Sequence, residues 1–186
     1  MPPAPLRADA ARNRERVLAA ARAAVIAGDA SLPLNEIARR AGVGVGTVYR
    51  HFPTRQALLE AVTDEPLALL LAEVRAAAAD PDPGGGFARL VRAAGRIEID
   101  NVGFAEVLTG DDPAAAATAA KRAELIAVAE RVLERARAAG VVRADVTAGD
   151  VQRLVCGIGH AARLGGADPH ERAELYTELL LAGLRP

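Results

Sequence analysis

Three Phe, two Tyr and no Trp leave this chain of 186 residues almost without aromatic side chains, yet 51% of it is hydrophobic. Any core has to be built from Ala, Leu and Val. Ala, Leu and Arg are strong helix formers, whereas a sheet draws on β-branched and aromatic residues that are sparse here. No segment reads as a convincing strand, and no internal repeat is visible. The expectation is an all-α protein.

Helix breakers and apolar spacing together mark out about nine helices. Residues 11–27 carry an apolar stripe at Val17, Ala20, Ala21, Ala24 and Val25, ended by Gly28-Asp29. Leu34, Ile37, Ala38 and Ala41 follow at helical spacing as far as Gly42. A short helix over residues 45–52 comes next, and Thr54 can cap a fourth through Val62. Pro66 kinks or ends that helix, or starts another, and the run to Ala79 is helical in composition. Residues 80–86, Asp-Pro-Asp-Pro-Gly-Gly-Gly, read as a linker. Residues 87–108 make two helices with a break near 101–103. Asp112-Pro113 is expected to open a long helix to Ala139, and Asp168-Pro169 a last one ending near Gly183. Between them, Thr147 and Asp150 are spaced as a capping box for a helix running to about Leu164.

Charge narrows the function classes. The net charge is −1, so this is no polycation. The distribution is uneven, however. Residues 1–60 hold nine Arg and five acids, net +4, and residues 61–186 hold 14 basic and 19 acidic residues, net −5. A basic head on an acidic body suits a polyanionic partner for the head. The single Cys156 excludes an internal disulfide, and His51, His160 and His170 are too scattered to suggest a metal site. No apolar run is long enough to span a membrane, and residues 1–22 lack a signal peptide's apolar stretch, so a cytoplasmic protein is expected. No nucleophile–base pair or phosphate-cradling loop is present. An enzyme built in the helical second half therefore stands as the remote reading.

Residues 34–62 carry the most information. A short helix, a glycine-centred turn and a second short helix make a helix-turn-helix. Ile37, Ala38 and Ala41 give the first helix an inner face, and Gly42 permits the sharp reversal. Gly44 and Gly46 leave the start of the second helix slim. Thr47, Tyr49, Arg50 and His51 supply hydrogen-bonding groups suited to phosphate or base edges. Taken singly, each has another use: Tyr49 as a core aromatic, His51 against the helix C-terminal dipole, Arg50 as a solvated charge.

The string from Ile37 to Leu59, with Gly46-Thr47-x-Tyr49-x-His51-Phe52 at its centre, resembles the DNA-binding domain of the tetracycline-repressor (TetR) family. The likeness is rich in motifs over about residues 12–62 and only architectural beyond. It implies a helix-turn-helix DNA-binding domain over residues 1–62 and a helical ligand-binding and dimerisation domain over residues 63–186. Val45, Gly46 and Arg50 then correspond to base-edge readers. Thr47, Tyr49, His51 and Arg55 correspond to phosphate clamps. Two positions depart from the family pattern. Gly44 stands where Ser is frequent, which weakens the cap, and Pro33 stands near a frequent Thr phosphate contact. Arg7, Arg12 and Arg14 would form a basic N-terminal arm, or simply a solvated terminus.

In the second half, small and apolar residues occupy more than one helix face. Val151, Leu154, Val155, Ile158 and Ala162 are expected to point inward. Gly157, Ala161 and Leu164 on one helix, and Leu175, Tyr176, Leu179, Leu180 and Gly183 on the next, would be buried by a second copy of the chain. The family likeness implies the same: a homodimer built on a four-helix bundle, reading an inverted-repeat operator in double-stranded DNA. It further implies a pocket for a small apolar effector within about residues 85–165. The candidates are Ile97, Asn101, Phe104, Leu108, Leu125, Cys156 and His160, although Cys156 also suits a small buried hydrophobe. No cofactor, metal or membrane partner is implied. The leading expectation is a repressor released from its operator by that effector. The alternative is a DNA-binding regulator without a small-molecule inducer.

Overall fold

The computed structural model describes residues 5–186, with side chains from residue 8 onward. The described residues form ten helices and no strand: α1 (Pro5–Ile26), α2 (Leu34–Ala41), α3 (Val45–His51), α4 (Arg55–Val62), α5 (Asp64–Ala79), α6 (Pro83–Asp100), α7 (Phe104–Thr109), α8 (Ala116–Ala138), α9 (Ala148–Ala162) and α10 (Pro169–Gly183). The all-α expectation holds. The count of about nine is close to the ten found. Pro66 sits in the first turn of α5, where its missing N–H costs nothing, so this stretch is a helix of its own.

Local chemistry sets most boundaries. The Thr54 hydroxyl accepts from the Ala57 N–H at 3.0 Å and starts α4. Thr147 and Asp150 complete the expected capping box, each side chain accepting from the other's backbone N–H at 3.0–3.1 Å. Asp168 accepts from the His170 N–H at 2.8 Å, with Pro169 at the first helical position.

Two expectations are corrected. The glycine run is not a linker: α6 begins at Pro83 and takes in all three glycines, with Asp82 accepting from the Gly84 N–H at 3.1 Å. Gly86 is buried, and a Cβ there would lie 3.1 Å from the Ala77 carbonyl, so the run lets α6 start hard against the end of α5. The long helix α8 opens at Ala116, not at Asp112-Pro113. The amides that Asp112 would have capped are taken by Glu60, whose carboxylate accepts from the Ala114 N–H at 2.6 Å and the Ala115 N–H at 2.9 Å.

The chain divides into two compact units. The first comprises residues up to Asp64 together with Val102–Thr118. Its core joins Val17, Leu18 and Ala21 of α1, Ile37 and Ala38 of α2, Val48 of α3, Leu58 and Leu59 of α4, and Val107 of α7. Glu60 is almost fully buried here. Burial pushes its carboxyl up, but hydrogen bonds from Ala114, Gln56, Ala115 and Thr118 together outweigh this and hold it below the ordinary range.

The second unit comprises Glu65–Asn101 and Ala119–Pro186. Within it α6, α9 and α10 pack mutually, burying Ile99, Ala162 and Ala173. Arg135 of α8 donates to the Ala78 and Asp80 carbonyls at 2.5 Å and closes the end of α5. Where α6 meets α9, the aliphatic part of Glu98 occupies the space a Cβ on Gly159 would need. The Glu98 side chain is 4% exposed and its Oε2 has no hydrogen-bond partner. Arg163 stands 4.0 Å from Oε1, but its guanidinium donates to the carbonyls of Glu98, Ile99 and Gly159 at 2.5–3.0 Å. Burial therefore prevails over Arg163 and pushes the Glu98 carboxyl up to about 7.

A carboxyl raised in the fold binds its proton more tightly folded than unfolded. Its stabilising effect is complete below the unfolded value of 4.5 and is lost as pH rises through about 7. A rise of this size corresponds to about 3 kcal/mol. The Tm of the wild type is expected to fall between pH 5 and pH 8, and that of Glu98→Gln to stay nearly level. Parallel pH profiles for the two proteins, followed by circular dichroism, would contradict this.

Candidate nucleic-acid interface

The helix-turn-helix rests on Gly42. Its φ of +62° ends α2 in a left-handed turn, with its N–H bonded back to the Ala38 and Arg39 carbonyls. The Gly42 carbonyl accepts from Arg16 of α1 at 2.8 Å, and a Cβ on Gly42 would lie 2.5 Å from the same guanidinium nitrogen. The turn is thus fixed by its own backbone and by a side chain reaching from α1.

The register of α3 follows from its one fully buried residue, Val48, and from Phe52 just past its end. With these two inward, Val45, Gly46, Tyr49 and Arg50 are exposed on one outer face, and Thr47 and His51 lie half-buried at its flanks. Arg50 lies along its own helix, donating to the Gly46 carbonyl at 3.0 Å and the Thr47 hydroxyl at 3.3 Å. A Cβ on Gly46 would meet nothing within 4 Å, so nothing in the fold requires glycine there. The N-cap Gly44 makes no side-chain cap, as its lack of a hydroxyl dictates.

Arg55 is placed differently from these six. Its guanidinium donates to the Ala30 carbonyl at 2.6 Å, the Ser31 carbonyl at 2.9 Å and the Glu106 carboxylate at 2.7 Å. It ties the start of α4 to the loop before α2 and to α7. The same loop holds Leu32 at φ +43° with its side chain fully buried, a strained conformation that these contacts help to maintain. Of the expected basic arm, the Arg7 side chain lies outside the described residues. Arg12 pairs with Asp9, and Arg14 lies over the Phe52 ring, 5.4 Å from its centroid. Arg16 and Glu106, both important to this unit, are ordinary surface charges by sequence, since their partners lie 26 and 51 residues away.

The effector candidates do not fall in one unit. Phe104 and Leu108 are buried in the first, whereas Ile97, Asn101, Leu125, Cys156 and His160 belong to the second. Leu125 is buried, Ile97, Asn101 and Cys156 are half-buried, and His160 is exposed. The Asn101 amide donates to the Ile97 carbonyl at 2.8 Å. Burial, and then the nearby Glu98, push the Cys156 thiol up to about 12, so it stays protonated. A cleft of about 480 Å³ opens elsewhere in the second unit, lined by Phe87, Arg92, Val141, Glu178 and Arg185 among others. None of the effector candidates lines it.

On α9 one inward assignment is corrected. Leu154 is exposed, while Val155 and Ala162 are buried and Val151 and Ile158 half-buried. Leu154 thereby joins Gly157 and the half-buried Ala161 in a stripe on α9, and Leu164, two residues past the helix end, is 66% exposed. On α10, Leu175, Leu179 and Gly183 are exposed and Tyr176 and Leu180 half-buried. Among the described residues no group of three or more His, Cys, Asp or Glu could hold a metal ion. No helix among them is long and apolar enough to cross a membrane.

The comparisons with known proteins agree with this geometry. Residues 17–62 match the family model described as bacterial regulatory proteins, tetR family. Residues 82–186 match the model of the C-terminal domain of SbtR-like transcriptional regulators. A TetR transcription regulatory protein from Mycobacterium vanbaalenii is 36% identical, covering 98% of this chain and 100% of its own, with a TM-score of 0.50. The TetR transcriptional regulator SCO0520 from Streptomyces coelicolor is 31% identical over 93% of this chain and 98% of its own, with a TM-score of 0.56. RolR, solved in complex with the ligand resorcinol, shares the fold at 18% identity over 95% of this chain and 89% of its own, with a TM-score of 0.57. Among curated proteins none matches. With both family models matched in order, and full-length relatives above 30% identity, the chain belongs to the TetR family of transcriptional regulators.

Proposed function

We propose that this regulator is a homodimeric repressor that reads an inverted-repeat operator and is released from it by a small ligand. Residues 1–62 serve as its DNA-binding domain, and residues 63–186 bind the ligand and the second copy. The observation that carries the DNA reading is the outer face of α3, where Val45, Gly46, Tyr49 and Arg50 stand exposed on a helix held by the Gly42 turn. Such a helix enters the major groove with its N-terminal residues against base edges. Open space at Gly46 lets backbone approach the bases, and Arg50 is the residue suited to a bidentate contact with guanine. Thr47, Tyr49 and His51 take the flanking phosphates. Arg55 acts one step removed, holding α4 and the loop ahead of α2 in place.

The dimer reading rests on the exposed stripes of α9 and α10. Leu154, Gly157 and Ala161 on α9, with Leu164 just past its end, offer a narrow face that admits a close helix, and Leu175 and Leu179 widen it. A cytoplasmic location fits a protein whose partner is DNA.

Release acts through α4. Arg55 binds Glu106, and Glu60 binds the amides of Ala114 and Ala115, so both ends of α4 grip the segment Val102–Thr118. Along the chain that segment lies between α6, which carries Ile97, and α8, which carries Leu125. A ligand that favours one arrangement of these helices needs about 1–3 kcal/mol of preference to change operator affinity materially. RolR, known with resorcinol, is a protein of this fold with a small-molecule ligand. The second reading, a regulator without an inducer, is favoured by one observation: Phe104, Leu108 and Leu125 are packed core residues, at most 7% exposed.

Selection from random double-stranded DNA by the full-length protein is expected to enrich an inverted repeat. Arg50→Ala should lose about 1–3 kcal/mol on it and relax the preference at one position of each half-site. Tyr49→Ala should weaken binding to all duplexes alike. No enrichment at low salt by a folded protein would overturn the DNA reading.

Light scattering is expected to give twice the 19.2 kDa chain mass at micromolar concentration. The double variant Leu164→Glu, Leu179→Glu should give a folded species of one chain mass. A wild type that runs as one chain would sink the dimer.

A further inference from the structure

The outward face of α2 holds a charged cluster that the reading of α3 leaves unused. Leu34, Ile37, Ala38 and Ala41 are all buried, which fixes the register of this helix. Positions 36, 39 and 40 then share its solvent side, three and four residues apart. Helical side chains lean toward the N-terminus, so the two arginines reach back over the turn that carries Glu36. Arg39 grips that carboxylate with two donors, Nε to Oε2 at 2.8 Å and Nη2 to Oε1 at 2.5 Å. Arg40 adds Nε to Oε1 at 2.9 Å.

An isolated surface ion pair contributes little, but a bidentate contact within a network is the exception. The network is also unbalanced. On the helix itself one acid faces two arginines, and Asp29 of the preceding loop adds a second carboxylate acting on Arg40 only, so Arg39 is the less neutralised of the two. The hydrogen bonds from Arg39 and Arg40 hold the Glu36 carboxyl at about 2, so the acid stays ionised at any working pH. Each guanidinium has five N–H donors; Glu36 engages two on Arg39 and one on Arg40. The Arg39 side chain is 75% exposed and that of Arg40 44%, so donors remain accessible on both. Two guanidiniums pre-arranged by one carboxylate suit a row of anions, and the first helix of a helix-turn-helix crosses the DNA backbone.

We propose that Arg39 and Arg40 clamp the phosphate backbone beside the groove read by α3, and that Glu36 is the positioning residue that holds both in place. The inference rests on the DNA-binding reading above. It assigns affinity without sequence preference to α2 and leaves preference to α3. Phosphate contacts displace counterions, so each should appear as about 0.9 in the slope of log affinity against log salt.

The test measures binding of the full-length protein to its selected operator and to a scrambled duplex of equal length, across a range of salt. The double variant Arg39→Ala, Arg40→Ala is expected to lose about tenfold or more on both duplexes and to lower the salt slope by about two per protomer, with the operator preference unchanged. Glu36→Gln gives the sharper discrimination. Removing a negative charge near DNA should tighten binding if charge alone matters. A positioning role predicts weaker binding, about threefold or more, on both duplexes. A double variant with the wild-type slope overturns the clamp while leaving the DNA reading intact. Tighter binding by Glu36→Gln overturns the positioning role. A wild type that binds neither duplex overturns both the clamp and the reading beneath it.

Discussion

The left-handed turn at Gly42 is the constraint on which the first unit depends. α2 and α3 are too short to be stable alone, at eight and seven residues. Each owes its helicity to the partner it packs on, and the turn decides which faces meet. A residue with a Cβ would be strained at this φ and would collide with the Arg16 guanidinium that holds the turn's carbonyl. Were the turn to open, Val48 and Phe52 would leave the core, and the outer face of α3 would no longer be a face. The exposure of Tyr49 and Arg50 is therefore a consequence of packing behind them.

What the sequence made legible follows from the range of the interactions. The caps at Thr54, Thr147 and Asp168 involve partners two or three residues away, and all three start helices where spacing places them. The outward set on α3 is legible for the same reason, since Val48 and Phe52 define the register within one turn either side. Glu60 lies outside such reasoning. Its carboxylate caps amides 54 and 55 residues later, and in doing so displaces a helix start that Asp112-Pro113 announces locally. Arg55's contacts are hidden likewise: the family likeness makes it a phosphate clamp, and only the fold brings Ala30, Ser31 and Glu106 to it. The glycine run at 84–86 misleads in the opposite sense. Three glycines suggest freedom, but a cap, a proline and a tight neighbour make them the first turn of α6.

The two long-range acids show how burial and hydrogen bonding compete. Glu60 and Glu98 are equally hidden, each 3% exposed. Glu60 has donors from three directions and stays ionised. Glu98 has an arginine within 4.0 Å whose donors are already committed to carbonyls, and its carboxyl is pushed up to about 7. The difference is not depth but the supply of N–H groups. A buried carboxylate with donors is a clasp, as Glu60 is for the start of α8. One without them is a group whose charge state the fold leaves sensitive to the medium.

The second acid also explains how α9 can present an apolar stripe to the outside. A helix that exposes Leu154 needs a firm hold on its other side, or it would turn to bury it. Gly159 provides that hold by admitting the body of Glu98 where a side chain would stand, and Arg163 adds three bonds to carbonyls of α6 and α9. With rotation about its own axis blocked at both places, α9 keeps Leu154 and Gly157 facing outward. The inner face of α9 is thus fixed by its packing on α6, and the apolar residues left outside are those on which the dimer proposal rests.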